Sequence, residues 1–501
     1  MRFRAHFSAA LALAASLAMA SAADARRPAP PPPSPAFTVA STDPAGTFGG
    51  VDYVRIRGVV NGTVGATGQV VGLDAQPKDA HGRYAYTAEF ELIVPASGQP
   101  ADDAVFVEAE NRGNPIFLAS LDQFDARGAP SAATYPAGLG DGFLFRHKIA
   151  YARVQWQTGI AAGVPATAQG VGEVIMRDFA LRLAKGGAVP GLPPFKARLI
   201  GAISQSAWFI NAFIAEGFNT DPAGGGQVFN GAIAIDGTGN WIGINQLGAK
   251  AGFAQYPYPN EASHPLRPYE LMTRPQSDPL YVDVANFTDY FRLRASVSED
   301  VPSFSPDMRR YDWPSPHAAG SEASPQRLAA CNGGKPAALD PIGYAPYARA
   351  LVVELARAAG AASVEAPPLP STELFALGPA PDDAQHFNPL AGVTVKVPMR
   401  DQAGQPIGGV RFPEDDAPVG RITVPLPHVG LDAISDTCGN FAEWAPMSAA
   451  ELKRAYGSQD AYLKRYEASL DRLIAAGYVL PEDKPAMLKR AAALYQNPKG
   501  D

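Results

Sequence analysis

Residues 198–217 read RLIGAISQSAWFINAFIAEG: an apolar run, a small polar junction, then a second apolar run with a different period. Residues 198–203 are short and compact enough for one buried strand. Beyond them Trp208, Phe209, Ala212, Phe213 and Ala215 recur at a spacing closer to a helix than to a strand, and Gly217 supplies a stop. Ser204, Gln205, Ser206 and Ala207 lie between the two runs. A strand that turns sharply into a helix and carries a serine at the turn has the geometry of a nucleophile elbow. The turn lifts the hydroxyl out of the sheet and sets it at a helix N-terminus, where backbone N–H groups favour developing negative charge. The junction also fits an ordinary helix N-cap. The glycines of a Gly-x-Ser-x-Gly elbow are replaced by Ala202 and Ser206.

The chain around this junction has 501 residues, 46% of them hydrophobic, enough for a large core. Its net charge of −7 and the absence of a basic block argue against a nucleic-acid partner. The N-terminus has the layout of a secretory signal over residues 1–25. Arg2 and Arg4 precede an alanine-rich apolar run, and Ala18/Ala20, Ala20/Ala22 and Ala23/Ala25 each offer a cleavage pattern. The run is too short to span a bilayer, and no other long apolar run follows, so no integral membrane segment is expected in the mature chain. Export to the periplasm or beyond is expected, with a proline-rich linker at residues 26–36 (RRPAPPPPSP over 26–35) and one domain from 37 to 497. Two cysteines in an exported chain, Cys331 and Cys438, predict one long-range disulfide, the alternative being two separate buried thiols.

In chain order, residues 37–95 read as antiparallel strands separated by turn signals at Asn61-Gly62, Asp79 and His81-Gly82. Residues 104–110 are a buried strand ending in Asn111, Arg112, Gly113, Asn114 and Pro115, a loop fit to hold half of an oxyanion hole or simply to turn. A strand near 148–157 ends in Trp156-Gln157, and an amphipathic helix spans 172–185. Strand and helix then alternate, which predicts a mostly parallel sheet with helices on both faces. Residues 240–279 form an irregular aromatic segment (Trp241, Tyr256, Tyr258, Tyr269) suited to a cap. A helical extension covers about 445–497, and there is no His/Cys cluster with metal-ligand spacing.

Ser204, Asp289 and His317 each follow a strand, in the chain order of α/β-hydrolase triads. A parallel sheet collects its sites at that strand edge. Serine needs a histidine to take its proton, and the histidine needs a carboxylate to fix its tautomer and stabilise the imidazolium. Asp236 also ends a strand and is the rival acid. His264, His386 and His428 are rival bases, and Ser206 is a rival nucleophile. The oxyanion would lie between a backbone N–H at Arg112 or Gly113 and that of Gln205.

These residues together resemble the alpha/beta hydrolase domain family of exported, largely uncharacterised bacterial proteins, over residues 53–494. The family's G-x-S-Q-S-G elbow is similar to residues 202–207, and its N-R-G loop to Asn111, Arg112 and Gly113. A W-Q pair matches Trp156-Gln157, an asparagine-led segment matches residues 286–290, a histidine loop matches His317, and a G-G-V-R-x-P-E run matches residues 408–414. The chain departs from that pattern at Ala202 and Ala207 (glycines), Asp289 (glutamate) and Trp208 (arginine). The resemblance implies an α/β-hydrolase fold and a cofactor-independent serine hydrolase acting on a small ester-like substrate. Trp156, Trp208, Trp241, Tyr256 and Tyr258 would shape its pocket. A ligand-binding protein without chemistry and an amidase or peptidase are the alternatives.

Overall fold

Nine strands with strongly apolar inner segments make the central sheet: β1 (Ala36–Phe48), β2 (Val51–Gly65), β3 (Arg83–Pro95), β4 (Ala104–Glu108), β5 (Ile149–Val154), β6 (Ala197–Ile203), β7 (Gly231–Ile235), β8 (Leu280–Asn286) and β9 (Met308–Trp313). The computed structural model describes residues 35–65, 70–122, 139–242, 265–301, 303–317, 325–336, 338–380, 394–423 and 438–498. Spatial order is β1-β2-β3-β5-β4-β6-β7-β8-β9. The first three strands and the β3–β5 pair are antiparallel. From β5 to β9 every neighbour is parallel. β1 is an edge strand, interrupted by register shifts around Ser41 and Pro44–Gly46, devices that discourage edge-to-edge pairing.

The parallel strands are buried on both faces, which explains their near-continuous apolar sequences. Side chains alternate between two cores. Phe106, Leu199, Ile233 and Ile235 point into one; Val105, Val107, Ile200, Ala232 and Ala234 point into the other. Helices α1 (Val171–Lys185) and α2 (Gln205–Ala215) cover the second face through Val174, Ile175, Phe209 and Phe213. Helix α3 (Ala345–Ala358) covers the first, through Leu351, Val352 and Leu355.

The C-terminal helices α4 (Ala449–Tyr456), α5 (Gln459–Ala476) and α6 (Lys484–Gln496) also dock on the first face, through Leu452, Tyr462, Tyr466, Leu470 and Met487. Gly457 and Gly477 separate them at positive φ, the backbone region where glycine is the default helix terminator. Glu414, from the GGVRFPE run, anchors this extension: its Oε1 accepts from Tyr466 Oη at 2.9 Å and Arg490 Nη1 at 2.8 Å.

One turn signal was misleading. Asn61 and Gly62 lie inside β2, paired with Thr87 and Tyr86 of β3. Glycine is needed there because a Cβ would sit 2.3 Å from the Tyr86 ring and hydroxyl. The aromatic side chain fills the space of the missing one. Strand β1 starts at Ala36, so the expected linker ends no later than residue 35. Of the expected cap, residues 243–264 lie outside the described residues, as does the signal-like segment.

Cys331 and Cys438 form a disulfide with Cα atoms 5.4 Å apart, closing a sequence separation of 107. A cross-link over so long a loop restricts the unfolded chain strongly. Reduction, or replacement of both cysteines by serine, is expected to cost about 2–4 kcal/mol. Thermal unfolding with and without reductant checks this, and an unchanged midpoint would show that the bridge does not support the fold.

Candidate active site

The C-terminal end of β6 runs directly into α2, and Ser204 occupies the junction at φ 60°, ψ −127°. A non-glycine residue there carries roughly 1–3 kcal/mol of backbone strain, and its neighbours must hold it. They do so from several sides. The Ser204 N–H donates to Ile235 O of β7 at 2.9 Å, and the N–H groups of Ala207 and Trp208 donate to Ser204 O at 2.8 and 3.2 Å. Ser206 is fully buried and donates its hydroxyl to Ile203 O at 3.0 Å. It therefore braces the turn, whereas Ser204 presents its own hydroxyl to His317.

Ser204 Oγ lies 3.0 Å from His317 Nε2, and His317 Nδ1 lies 2.6 Å from Asp289 Oδ1. Nδ1–H donating to the carboxylate leaves Nε2 with the lone pair that faces the serine, the tautomer a general base requires. The His317 backbone N–H donates to Thr288 Oγ1 at 2.7 Å, and Asp289 Oδ2 accepts the Asn286 N–H at 2.9 Å. Thus the loop ends of β8 and β9 grip each other around the imidazole.

Asp236, the rival acid, is also present. It ends β7 at φ 61° with no solvent exposure, and its Oδ1 lies 3.6 Å from His317 Nδ1. Asn286 Nδ2 donates to that Oδ1 at 2.5 Å, while Oδ2 has no hydrogen-bond partner. Burial, reinforced by the charge of Asp289, pushes the Asp236 carboxyl well above the ordinary carboxylate range. Asp236, Asp289 and His317 are the one group among the described residues close enough to be weighed as a metal site. Both ring nitrogens of His317 already face protein partners, so the residues present fit a proton relay better than a metal centre.

The loop after β4, expected to hold half of an oxyanion hole, is a two-residue turn. Asn111 and Asn114 exchange backbone hydrogen bonds at 2.8 and 2.9 Å, and Arg112 and Gly113 form the tip at φ 51° and 79°. Neither tip N–H is consumed in closing the turn. Asn111 Nδ2 donates to Ile203 O at 3.0 Å, which fixes this turn to the last residue of the elbow strand. Gln205 opens α2, so its N–H has no acceptor within the helix. In the sequence Asn111 is only a piece of the loop; its side-chain bond to the elbow strand emerges from the parallel pairing of β4 with β6.

The tryptophans named for the pocket lie inside the molecule. Trp156 stacks on Phe209 of α2 with ring centroids 3.9 Å apart and donates Nε1 to Glu110 O at 2.9 Å. Trp208 is 1% exposed, packs with Leu293 and Ile242, and donates Nε1 to Asp236 O at 3.0 Å. Trp241 is buried on the α1–α2 face. Tyr256, Tyr258, His264, His386 and His428 lie outside the described residues.

A buried charge cluster stands behind Asp289, and no motif in the sequence singles it out. Arg310 of β9 is paired with Asp283 of β8, Asp312 and Glu299. Tyr290, next to Asp289, donates to Asp312 Oδ2 at 2.5 Å. One guanidinium cannot neutralise three carboxylates, and burial together with the charge of Asp312 holds Glu299 well above its usual range. The cluster ties the short helix Asp289–Arg292 to the sheet.

Replacing Asn111 by alanine frees the oxyanion turn from Ile203 without touching the serine or the histidine. Loss of that buried hydrogen bond is expected to lower stability by about 1–3 kcal/mol. An unchanged thermal midpoint in the variant would remove Asn111 from the positioning of that turn.

A family model described as alpha/beta hydrolase domain matches residues 147–489, a span from the start of β5 to the last helix. The Asn111 turn lies upstream of it. Comparison with curated proteins finds no match. The sheet order and the elbow agree with the match, which covers roughly two thirds of the sequence: the chain belongs to the alpha/beta hydrolase domain family.

Proposed function

We propose that this hydrolase-fold protein is an exported serine hydrolase that cleaves carboxylic esters of small molecules through an acyl-enzyme. The reading is carried by one observation, the continuous Ser204–His317–Asp289 hydrogen-bond chain at a strained strand–helix junction. In this mechanism Ser204 Oγ attacks the ester carbonyl carbon while His317 Nε2 takes its proton. The tetrahedral oxyanion is met by the N–H groups of Gln205 and of Arg112 or Gly113. Collapse expels the alcohol, which receives the proton from His317. Water then attacks the acyl-enzyme by the same route in reverse, releasing the acid and free Ser204. Asp289 keeps the imidazole oriented and stabilises its cationic form. Ile160, exposed and set against Gly113 of the oxyanion turn, offers an apolar surface for the hydrocarbon part of the ester.

A fluorophosphonate probe tests the nucleophile. Labelling of the wild type should vanish in Ser204→Ala, with turnover of an activated ester falling roughly 10⁴-fold or more. Absence of labelling in folded wild-type protein would favour a ligand-binding role. Turnover of anilide or peptide substrates above that of esters would point to an amidase.

Export rests on the N-terminal layout of residues 1–25. The disulfide is compatible with it, and no helix among the described residues is long and apolar enough to cross a membrane. Expressed with its own N-terminus in a Gram-negative host, the chain is expected outside the cytoplasm, trimmed after Ala20, Ala22 or Ala25. Intact-mass measurement of the periplasmic and medium fractions checks this. A chain retaining Met1 in the cytoplasm contradicts it.

A further inference from the structure

The second carboxyl beside His317 has no place in a three-residue triad, yet it is built into the site. Asp236 and Asp289 end adjacent parallel strands, and one oxygen of each lies with a His317 ring nitrogen inside a 4.8 Å group. Asn286 holds both acids at once. Its side-chain Nδ2 donates to Asp236 Oδ1 at 2.5 Å, its backbone N–H donates to Asp289 Oδ2 at 2.9 Å, and its Oδ1 accepts from Ser315 Oγ at 2.5 Å. The two acids are unequally served. Asp289 accepts from the Asn286 N–H and from His317 Nδ1, both suited to an anion. Asp236 has one donor on Oδ1, and its buried Oδ2 has none. Among the described residues, Asp283 and Asp289 raise the Asp236 carboxyl by their charge, and His317 and Tyr344 also face it. Arg310, the nearby guanidinium, is committed to Asp283, Asp312 and Glu299.

Resting on the triad reading above, we propose that Asp236 and Asp289 act as one carboxyl pair carrying a single negative charge, with Asp236 its protonated member and a positioning residue for the Asp289–His317 bond. Two buried carboxylates this close cannot both ionise cheaply. The Asp236 and Asp289 side chains lie within hydrogen-bonding reach of each other, so a proton on Asp236 turns its carboxyl into a donor toward Asp289. That donation stabilises Asp289 as the anion, so Asp289 does not take the proton of His317 when the imidazolium forms. The pair therefore presents one charge, on the carboxylate nearest Nδ1.

Conservative substitution separates this from a merely structural role. Asp236→Asn keeps the shape and the neutral, hydrogen-bonding form, and is expected to retain kcat and KM within about threefold of wild type. Asp236→Ala should lower kcat about 10–100-fold at nearly unchanged KM, and Asp289→Asn should lower kcat by roughly 10³-fold or more. If Asp236→Asn falls as far as Asp289→Asn, Asp236 works as an ionised acid and the proposal is overturned.

A second measurement does not depend on activity. Folded Asp236 keeps its proton to higher pH than the unfolded chain, which releases it near pH 4. From there up to the raised folded value, folding takes up a proton, so wild-type stability falls with rising pH. Asp236→Asn lacks that slope. From about pH 5 upward, until Asp236 titrates in the folded protein, the variant's thermal midpoint relative to wild type should rise by on the order of 1–2 °C per pH unit. A constant difference across that range overturns the proposal even if the protein proves not to be an esterase. A fluorophosphonate-silent wild type that still shows the slope would sink the hydrolase reading alone.

Discussion

Ser204 can face a histidine only because its backbone is held at positive φ where a chain of L-residues would relax. Strand β6 is flanked on both sides by parallel neighbours, β4 and β7, so its end cannot drift. The carbonyl of Ile203 is gripped twice, by Asn111 Nδ2 from one side and Ser206 Oγ from the other. The Ser204 N–H is gripped by Ile235. Each contact is worth about 1 kcal/mol net, and together they are of the size of the strain they oppose. The oxyanion turn is one of these restraints. Ser204 and the Asn111–Asn114 turn are thus positioned by the same bonds.

Asp289 and His317 are held from the far end of the chain. Cys438 to Asn440 packs against the short helix that begins at Asp289, and Thr288 Oγ1 is 3.4 Å from Asn440 O. The same Thr288 oxygen accepts the His317 N–H. The disulfide joins this segment to Cys331, which follows the histidine loop in sequence. The chain beyond the nine-stranded sheet is therefore part of the support of His317, not an appendage. This explains why a sequence pattern can extend well past the strands that carry the three side chains. Glu414 plays the corresponding part for the C-terminal helices.

The parallel strands were legible because burial on both faces leaves an apolar run with few interruptions. The elbow was legible because two periods meet at a small polar junction. Asn61-Gly62 misled because the signal for a turn and the signal for an aromatic-covered glycine in a strand are the same letters. The choice between Asp236 and Asp289 was not legible. Both end strands, and both fall between the serine and the histidine in sequence; only the distances from Nδ1, 2.6 Å against 3.6 Å, rank them. Arg310 was hidden for a related reason. A charged residue in a short strand reads as an edge or a solvent face, whereas here the register sets it opposite Asp283 in the interior. The tryptophans were assigned to a pocket because aromatics near a site are commonly its walls; packing turned them inward.

Trp208 shows what that packing does. Its indole N–H holds the Asp236 carbonyl, and its ring packs on Leu293, whose N–H donates to Asp289 O. One side chain of α2 therefore braces the loops of both Asp236 and Asp289. The family pattern resembled by this elbow carries arginine at the position. An arginine reaching the same carbonyl would bring a permanent cation beside Asp236 and lower the cost of a second carboxylate charge there. Tryptophan supplies one donor and no charge. It keeps the loop in place without adding a charge beside Asp236. The residue at 208 thus bears on how the loops of Asp236 and Asp289 are held as well as on the surroundings of Ser204.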